Sequence, residues 1–462
     1  MSKKNTLNRR QFLTSAAVAG AAVTMGAGSG LLTSCAGGNN NANAGGSSAA
    51  KGPIERLKAW RIPTLTDMAV DGKAIKVGLV GCGGQGTGDV ISLAKAANGI
   101  EIVALGDVFE DRIERSRKEI KEKTGQDVPA DKCFVGFDSY QKVIDSGIDL
   151  VLLVTPPIFR PLHFEAAVRA GKHVFMEKPV SADVAGSLKI IATAKIADSQ
   201  NLCVVTGTQR RHQRPYVEAF KQIADGAIGE ITGGEVYWNQ SQLWFRDRHK
   251  EWSDMEFMIR DWVNWTWLSG DHIVEQHVHN IDVFNWFSGL KPVSATGFGA
   301  RHRRVTGYQY DMFSVDFVYE NGIHMHSMCR QINGCSSNIS EIVQGTHGSW
   351  TSAGHVIKDL AGNEIWKWDT EKEKADFKQT NPYVLQFVDL ITAIREGKKL
   401  NEAADTATSS LIAVMGRESA YTGQSVTWEQ IRGMDMNWLP ENPVLGKIDM
   451  SKYVVPVPGS DK

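Results

Sequence analysis

The chain has 462 residues, of which 42% are hydrophobic and 22% are charged, so it can bury a large core and is long enough for two domains. Its 51 basic and 52 acidic residues leave a formal net charge of -1. Because nucleic acid binding needs a strongly basic footprint, this balance gives no reason to expect a nucleic acid partner.

The N-terminal segment 1–35 has the pattern of an export signal rather than of a folded domain. Arg9 and Arg10 form a twin arginine, and a run of small, weakly apolar residues follows, as in Tat signals. The next stretch, Leu-Thr-Ser-Cys ending at Cys35, resembles a bacterial lipoprotein cleavage site. We therefore expect Tat export to the periplasm, with membrane contact only through a lipid on Cys35. The alternative is a cytosolic protein with an incidental arginine pair.

Residues 36–73 begin with a stretch rich in Gly, Ala, Ser and Asn, which predicts a flexible tether and lead-in. Beyond Cys35 the chain has an odd number of cysteines without C-x-x-C spacing, which favours neither a disulfide framework nor a cysteine zinc site. These cysteines are Cys82, Cys133, Cys203, Cys329 and Cys335.

Residues 74–205 follow the strand, glycine turn, helix, strand order of a dinucleotide-binding domain. Gly81, Gly83 and Gly86 fit G-x-G-x-x-G directly after an apolar strand. In this motif the first glycine makes the tight turn, the second admits the pyrophosphate and the third lets helix and strand approach closely. A glycine turn that only connects two elements is the alternative.

Asp107 ends the next apolar strand, about twenty residues after the glycines, where a carboxylate accepts the ribose hydroxyls and repels a 2'-phosphate. NAD is therefore expected rather than NADP. The alternative role of Asp107 is a cap for the helix that begins near Glu110.

At this point the sequence resembles the Gfo/Idh/MocA family of oxidoreductases, from residue 74 to about residue 432. The motifs that carry the resemblance are Gly81 to Gly86, Asp107, Thr155-Pro156, His163, Ala170 to His173, Glu177-Lys178-Pro179, Gln209 to Arg211 and Gly226 to Glu230. The resemblance implies an α/β protein, with an N-terminal Rossmann domain at 74–205 and a C-terminal α+β domain at 206–432. The resemblance further implies that the second domain has a large, open, mostly antiparallel sheet, and that a homo-oligomer forms through its free face. The tail, 433–462, shows no periodic pattern.

The strand-like segments on either side of Asn321-Gly322 predict a β-hairpin in this second domain. Between Trp238 and Trp267 lie six of the chain's 13 tryptophans. An indole can stack on a sugar ring, so we expect one or two of them in a substrate pocket and the others in the core.

The resemblance also implies site residues. Lys178 matches the family's active-site lysine, whose ammonium stabilises a developing alkoxide, and Pro179 matches a cis-proline. The expected contacts to tightly bound NAD are Gly81, Gly83, Gly86, Asp107, Thr155, Pro156, His163, Glu177, Lys178 and Gln209.

The stretch GDHIVEQHVHNID contains the expected proton acceptor, His279, because its family pattern places the catalytic histidine there and its ordinary pKa lies near working pH. On one continuous helix, His272, Glu275, His279 and Asp282 would share a face. We expect Glu275 to support His279, and Asp282, Arg211 and, at the rim, His272 to contact the substrate. His277 falls on the apolar side and is expected in the core. A metal held by His272, Glu275 and His279 is the alternative.

These features predict an NAD(P)-dependent oxidoreductase that acts on a carbohydrate by hydride transfer. An exported enzyme cannot exchange NAD with the cytoplasm, so the cofactor must stay bound and be recycled within each cycle. One alternative is a redox-neutral NAD-dependent glycoside hydrolase that oxidises, eliminates, hydrates and reduces the same sugar. Another is a sugar-binding lipoprotein without catalysis.

Overall fold

The structure is a computed structural model, and it describes Pro63 and residues 65–460. The predicted export signal, Cys35 and most of the predicted tether therefore lie outside the described residues. Among the helices that are described, none is both long enough and apolar enough to cross a membrane. All five cysteines from Cys82 to Cys335 are free.

The N-terminal domain is built on a six-stranded parallel sheet with the order β3-β2-β1-β4-β5-β6. Its strands are β1 (Ile75–Val80), β2 (Ile100–Asp107), β3 (Cys133–Val135), β4 (Leu150–Leu153), β5 (His173–Met176) and β6 (Val204–Thr206). Its helices are α1 (Gly84–Ala96), α2 (Glu110–Thr124), α3 (Ser139–Ile144), α4 (Arg160–Arg169) and α5 (Val184–Ser199). Every residue of β4 is buried, as expected for a parallel strand covered on both faces. The predicted Rossmann fold is confirmed.

The C-terminal domain contains a nine-stranded sheet with the order β14-β13-β12-β11-β7-β10-β9-β8-β15. Its strands are β7 (Ile231–Gln240), β8 (Pro292–Ala300), β9 (Met312–Tyr319), β10 (His324–Gln331), β11 (Asn338–Gly345), β12 (Gly348–Thr351), β13 (Val356–Asp359), β14 (Glu364–Lys367) and β15 (Val426–Thr427). Its helices and the helices that follow are α6 (Arg214–Ala224), α7 (Asp254–Arg260), α8 (Thr266–Ser269), α9 (His272–Glu275), α10 (Val278–Ser288), α11 (Thr370–Asp376), α12 (Pro382–Glu396), α13 (Ala403–Thr422) and α14 (Trp428–Gly433).

Only the pair β7 and β10 in this sheet is parallel, so the prediction of an open, mostly antiparallel sheet is confirmed. Strands β9 and β10 form the predicted hairpin, with Asn321 in the left-handed region at φ 67°. One face of the sheet packs against α6, α10 and α13 in a single apolar core. The other face stays open, and Phe298 on it is 73% exposed.

Three contacts bear on the predicted domain limits. Helix α12, which we placed in the second domain, packs on the Rossmann sheet, where Phe387 lies 4.5 Å from Phe175 between ring centroids. The end of the predicted lead-in is folded, because Asp67 accepts hydrogen bonds from the backbone amides of Lys378 and Gln379. The described part of the tail is also anchored, for example where Trp438 donates its amide to Asp183.

Candidate active site

The glycine turn has the geometry that its motif requires. Gly81 has φ +98°, which only glycine adopts without strain. A β-carbon on Gly86 would lie 2.0 Å from the Gly81 carbonyl oxygen, whereas one on Gly83 would meet no atom within 4 Å. The third glycine thus permits close packing of α1 on β1, and the space at the second is free for a ligand. This turn fits the pyrophosphate of a dinucleotide at the start of α1.

A cavity of about 450 Å³ lies in front of this turn and includes Asp107, Thr155, Pro156 and His163 in its lining. The Asp107 carboxylate accepts hydrogen bonds from the amides of Cys82 (2.7 Å) and Phe109 (2.9 Å). Burial raises the pKa of Asp107, while these amide hydrogen bonds oppose the rise. Asp107 therefore borders the dinucleotide cavity at the end of β2. It does not cap α2, whose N-terminal cap is Phe109.

His163 closes one side of this cavity as a neutral group. Its Nδ1 lies 3.2 Å from the Thr155 hydroxyl, and its ring stacks on Tyr140 with centroids 4.3 Å apart. Burial, and then the charge of Arg160, lower the pKa of His163 to about 3. A neutral imidazole here can exchange hydrogen bonds with a ligand without adding charge.

Lys178 and Glu275 form the centre of a second pocket, of about 290 Å³. The Lys178 ammonium donates to the Glu275 carbonyl oxygen at 2.6 Å and to its Oε1 at 3.2 Å. An ammonium has three donors, so one N–H remains for a ligand oxygen. The peptide between Lys178 and Pro179 is cis, as predicted. Glu275 thus supports Lys178, and our expectation that it supports His279 is not met by these contacts.

His279 lies in the same pocket, where its ring stacks on Trp238 with centroids 5.5 Å apart and planes 18° apart. Its Nδ1 is buried and has no hydrogen-bond partner among the described residues. Burial, and then the charges of Lys178 and Arg210, hold the pKa of His279 well below its usual value. The imidazole is therefore neutral near pH 7, which is the state that a proton acceptor needs.

The dinucleotide cavity and the His279 pocket adjoin each other. Gln85, Val154, Trp244 and Trp262 line both of them. The pocket thus presents His279 and Lys178 directly beside the place where the nicotinamide end of a dinucleotide would reach. Glu177 and Gln209, which we expected to contact the cofactor, line the His279 pocket.

Two family models match the chain in the order of the two domains. Residues 75–207 match the model for an oxidoreductase family with an NAD-binding Rossmann fold, and residues 216–351 match the model for the GFO/IDH/MocA C-terminal domain. Together the matches cover more than half of the chain. The chain belongs to the Gfo/Idh/MocA family. NAD is accordingly its cofactor.

The relatives of this chain include inositol dehydrogenases and a glycosidase. Scyllo-inositol 2-dehydrogenase (NAD(+)) from Bacillus subtilis is 25% identical over 49% of this chain and 57% of its own length. The chain spans about half of the inositol dehydrogenases that it matches, 43% of one and 57% of another. Alpha-N-acetylgalactosaminidase from Shewanella oneidensis is 23% identical over 82% of this chain and 81% of that protein.

A solved structure shares the fold. Scyllo-inositol dehydrogenase from Lactobacillus casei, crystallised with NAD(H) and scyllo-inositol, aligns over 77% of this chain and 99% of that one, with a TM-score of 0.57 and 19% identity.

The structure corrects our expectation for His272. The polar stretch is not one helix, because α9 ends at Glu275 and α10 begins at Val278. His272 is therefore buried at 2% exposure, away from the pocket rim, with Nδ1 3.0 Å from Asp271 Oδ1. The metal alternative loses its ligand set, since no cluster of three metal-binding side chains forms within the part of the chain that is described. His277 is buried, as predicted, and its Nε2 lies within hydrogen-bond distance of the Ser327 hydroxyl at 2.8 Å.

Arg211 and Asp282, which we expected to contact the substrate, bind each other instead. Arg211 donates from Nε and Nη2 to the two Asp282 oxygens at 2.8 and 2.9 Å, and both residues are buried. Neither residue lines the His279 pocket, and Arg211 borders a different cavity with His212 and Glu402. Two charges facing each other in the core satisfy one another and leave no donor set aimed at a sugar.

Several contributing residues were missed by sequence reasoning. Arg160 donates to the carbonyl oxygens of Thr155, Glu177 and Pro179, and so holds together the loops on both sides of the junction. Tyr383 also lines the pocket, although α12 is remote in sequence. Of the six tryptophans, Trp238, Trp244 and Trp262 line the pocket, whereas Trp265 and Trp267 are buried in an apolar core.

Proposed function

We propose that this Gfo/Idh/MocA protein is an NAD-dependent oxidoreductase that acts on a secondary alcohol of a sugar or cyclic polyol. The observation that carries the proposal is that a neutral His279 and the Lys178 ammonium line one pocket, which shares lining residues with the dinucleotide cavity. Bound NAD supplies the hydride acceptor. His279 takes the hydroxyl proton, and the free N–H of Lys178 holds the oxygen as negative charge develops on it.

The pocket also has the chemistry to recognise a carbohydrate. Trp238, Trp244 and Trp262 offer apolar ring faces, and Gln209 and Gln276 offer amide groups in the same lining. The Gln209 Oε1 atom is buried and has no hydrogen-bond partner among the described residues. Aromatic faces next to a few polar groups are typical of sites that bind a sugar ring.

Net glycoside hydrolysis through the same cofactor is a second candidate. It is favoured by the match to alpha-N-acetylgalactosaminidase, which spans both domains, whereas the match to the Bacillus subtilis inositol dehydrogenase covers about half of the chain. Of the carboxylates in the pocket, Glu275 is paired with Lys178 and Glu177 accepts the Lys178 amide. They do not form the free acid and base pair of an ordinary glycosidase. Hydrolysis would therefore start with oxidation of the sugar by bound NAD, and His279 would pass the hydroxyl proton to water before it removes the acidified proton next to the carbonyl carbon. The glycosidic C–O bond would break in that elimination, and addition of water and return of the hydride would complete the cycle.

We further propose that the protein is exported by the Tat route, anchored through lipid on Cys35, and carries its NAD with it. The twin arginine and the cleavage-like sequence before Cys35 support this location. Retention of NAD follows as a requirement, because no NAD pool would refill the site outside the cytoplasm.

One experiment separates the two reactions. The purified protein is denatured to assay released NAD(H), and the intact protein is incubated with a panel of glycosides without added cofactor. A keto sugar that accumulates only with an added electron acceptor indicates oxidoreduction, whereas free sugar without a lasting keto product indicates hydrolysis. Neither product, together with no bound or bindable NAD, would contradict both proposals.

We also propose a homo-oligomer formed through the open face of the large sheet. Phe298, Ser314 and Met328 lie side by side across β8, β9 and β10 on this face, and Phe298 and Met328 are exposed. Exposed apolar side chains on the open face of a sheet, here Phe298 and Met328, are typical of an interface. Sedimentation of the wild type and of Phe298→Glu tests this, and an unchanged mass would contradict it.

A further inference from the structure

The dinucleotide cavity has a second wall, which comes from the C-terminal domain. Residues 241–262, here called the cover segment, follow β7 and include α7. The cavity is lined by the glycine turn and also by the side chains of the cover segment, namely Trp244, Arg246, Ile259, Arg260 and Trp262. The cover segment therefore lies where a bound dinucleotide would be enclosed between the two domains.

Arg260 ties the cover segment to the Rossmann domain. Its Nη1 and Nη2 donate to the two Asp111 carboxylate oxygens at 3.2 and 2.9 Å, and its guanidinium lies 3.8 Å from the centroid of the Phe109 ring. Hydrogen bonds from Arg260 lower the pKa of Asp111, so the pair stays charged. A bidentate pair of this kind combined with a cation–π contact is a directional link between the domains.

An apolar cluster supports the same link. Phe109 and Phe159 line the cavity, and they pack in one cluster with residues from the cover segment and from the helix that follows it. The tail covers this cluster, since Tyr453 contacts Trp265 and the Ile448 amide donates to Asp254. The cover segment is thus held from the cavity side and from the solvent side.

The charge around the cavity suits an anionic ligand. Arg112 and Arg115 of α2 line it together with Arg246. Burial lowers the pKa of Arg112, and the neighbouring charges of Arg246 and Arg115 lower it further. Like charges gathered at a cavity favour a bound anion, and the phosphates of a dinucleotide provide one.

We infer that the cover segment is part of the NAD site and that the Arg260–Asp111 link controls how slowly the dinucleotide dissociates. The inference rests on the proposed retention of NAD. The dinucleotide leaves only when the cover segment separates from α2, and separation breaks the link between Arg260 and Asp111. The exchange of NAD is thereby tied to domain opening rather than to the glycine turn alone.

The test measures dissociation directly, without turnover. Protein loaded with NADH is mixed with excess NAD, and the loss of bound NADH fluorescence is followed for the wild type, Arg260→Ala and Asp111→Asn. We expect both variants to release NADH at least about tenfold faster, because affinity changes within one site appear mainly in the dissociation rate. Asp111 is exposed, so its substitution leaves the core intact.

Arg169→Ala is the matched control. Arg169 donates from Nε and Nη2 to Glu165 at 3.0 and 2.7 Å within α4 and lines neither the dinucleotide cavity nor the His279 pocket, so its loss leaves the rate unchanged. Partial recovery of slow release in the Arg260→Asp, Asp111→Arg double variant would support the link. Equal rates in the wild type, Arg260→Ala and Asp111→Asn would overturn the inference, whereas wild-type protein purified without NAD would contradict the proposed retention instead.

Discussion

Two groups of buried polar side chains meet at α10, and they differ in how completely they are paired. The first group is the pocket with Lys178, Glu275 and His279. The second is an ion network in which Arg211 binds Asp282, and His212 lies 2.7 Å from Asp389 and 3.0 Å from Glu402. In the second group each charged side chain faces an opposite charge, whereas in the first group His279 has no carboxylate partner among the described residues and one Lys178 donor is left for a ligand.

The two histidines show what this difference means for protonation. Burial lowers the pKa of His279, and no carboxylate compensates. Burial also disfavours charge on His212, but the charge of Glu402 and hydrogen bonds with Asp389 and Glu402 raise its pKa to about 9. The same residue type is thus a neutral base in the pocket and a cationic structural group in the network.

The largest effect that we predict is the loss of turnover in His279→Ala. Removal of a general base costs about 10²-fold to 10⁴-fold in kcat, while the bound-NAD content of the folded protein stays near that of the wild type. Steady-state kinetics, bound-NAD content and urea denaturation check this. A variant with wild-type kcat would remove His279 from the reaction.

Asp282→Ala should show the opposite pattern, with a large loss of stability and intact chemistry in the folded fraction. Leaving the Arg211 guanidinium buried without its partner costs about 3–5 kcal/mol in free energy of unfolding. Urea denaturation and kcat per folded molecule check this, and Asp316→Ala, at a half-buried position on a sheet strand, is the control. A loss of kcat larger than the loss of folded protein would return Asp282 to the substrate site.

His272→Gln should have a moderate effect on stability alone. The substitution disturbs the contact with Asp271, and disruption of a buried hydrogen bond costs about 1–3 kcal/mol. The Michaelis constant for the sugar should not change, because His272 does not line the pocket. An increase in this constant without a loss of stability would place His272 at the pocket rim after all.

The smallest effects are expected in pH profiles. Because the pKa of His279 is lowered, the acid limb of kcat/KM should lie below pH 6.5, the ordinary pKa of histidine.

His212 behaves in the opposite way, since its folded pKa is raised to about 9 from 6.5. Its stabilising contribution is fully present below pH 6.5 and is lost as the pH rises through 9. The difference in unfolding free energy between the wild type and His212→Gln should therefore shrink over that window.

The sequence predicted the elements whose patterns are local. The glycine turn, the cis peptide before Pro179 and the open sheet each depend on a short motif or on strand alternation, and the structure shows all three. The roles of Asp107 and Lys178 stay predictions. The prediction that His272 and His279 share one helix face was wrong. Helical spacing alone does not reveal that the helix breaks at Gln276 and His277. The pairing of Arg211 with Asp282, and the position of α12 on the Rossmann sheet, depend on long-range packing that no local pattern encodes.

The most direct test of the proposed chemistry follows the reduction of protein-bound NAD in a single turnover. Wild type, His279→Ala and His272→Gln are loaded with NAD and mixed with a panel of glycosides and cyclic polyols, and NADH absorbance is recorded. We predict that at least one compound reduces the bound NAD in the wild type and in His272→Gln, and that the reaction is at least about 10²-fold slower in His279→Ala. Reduction at the wild-type rate in His279→Ala, or no reduction by any compound in the wild type, would contradict the account.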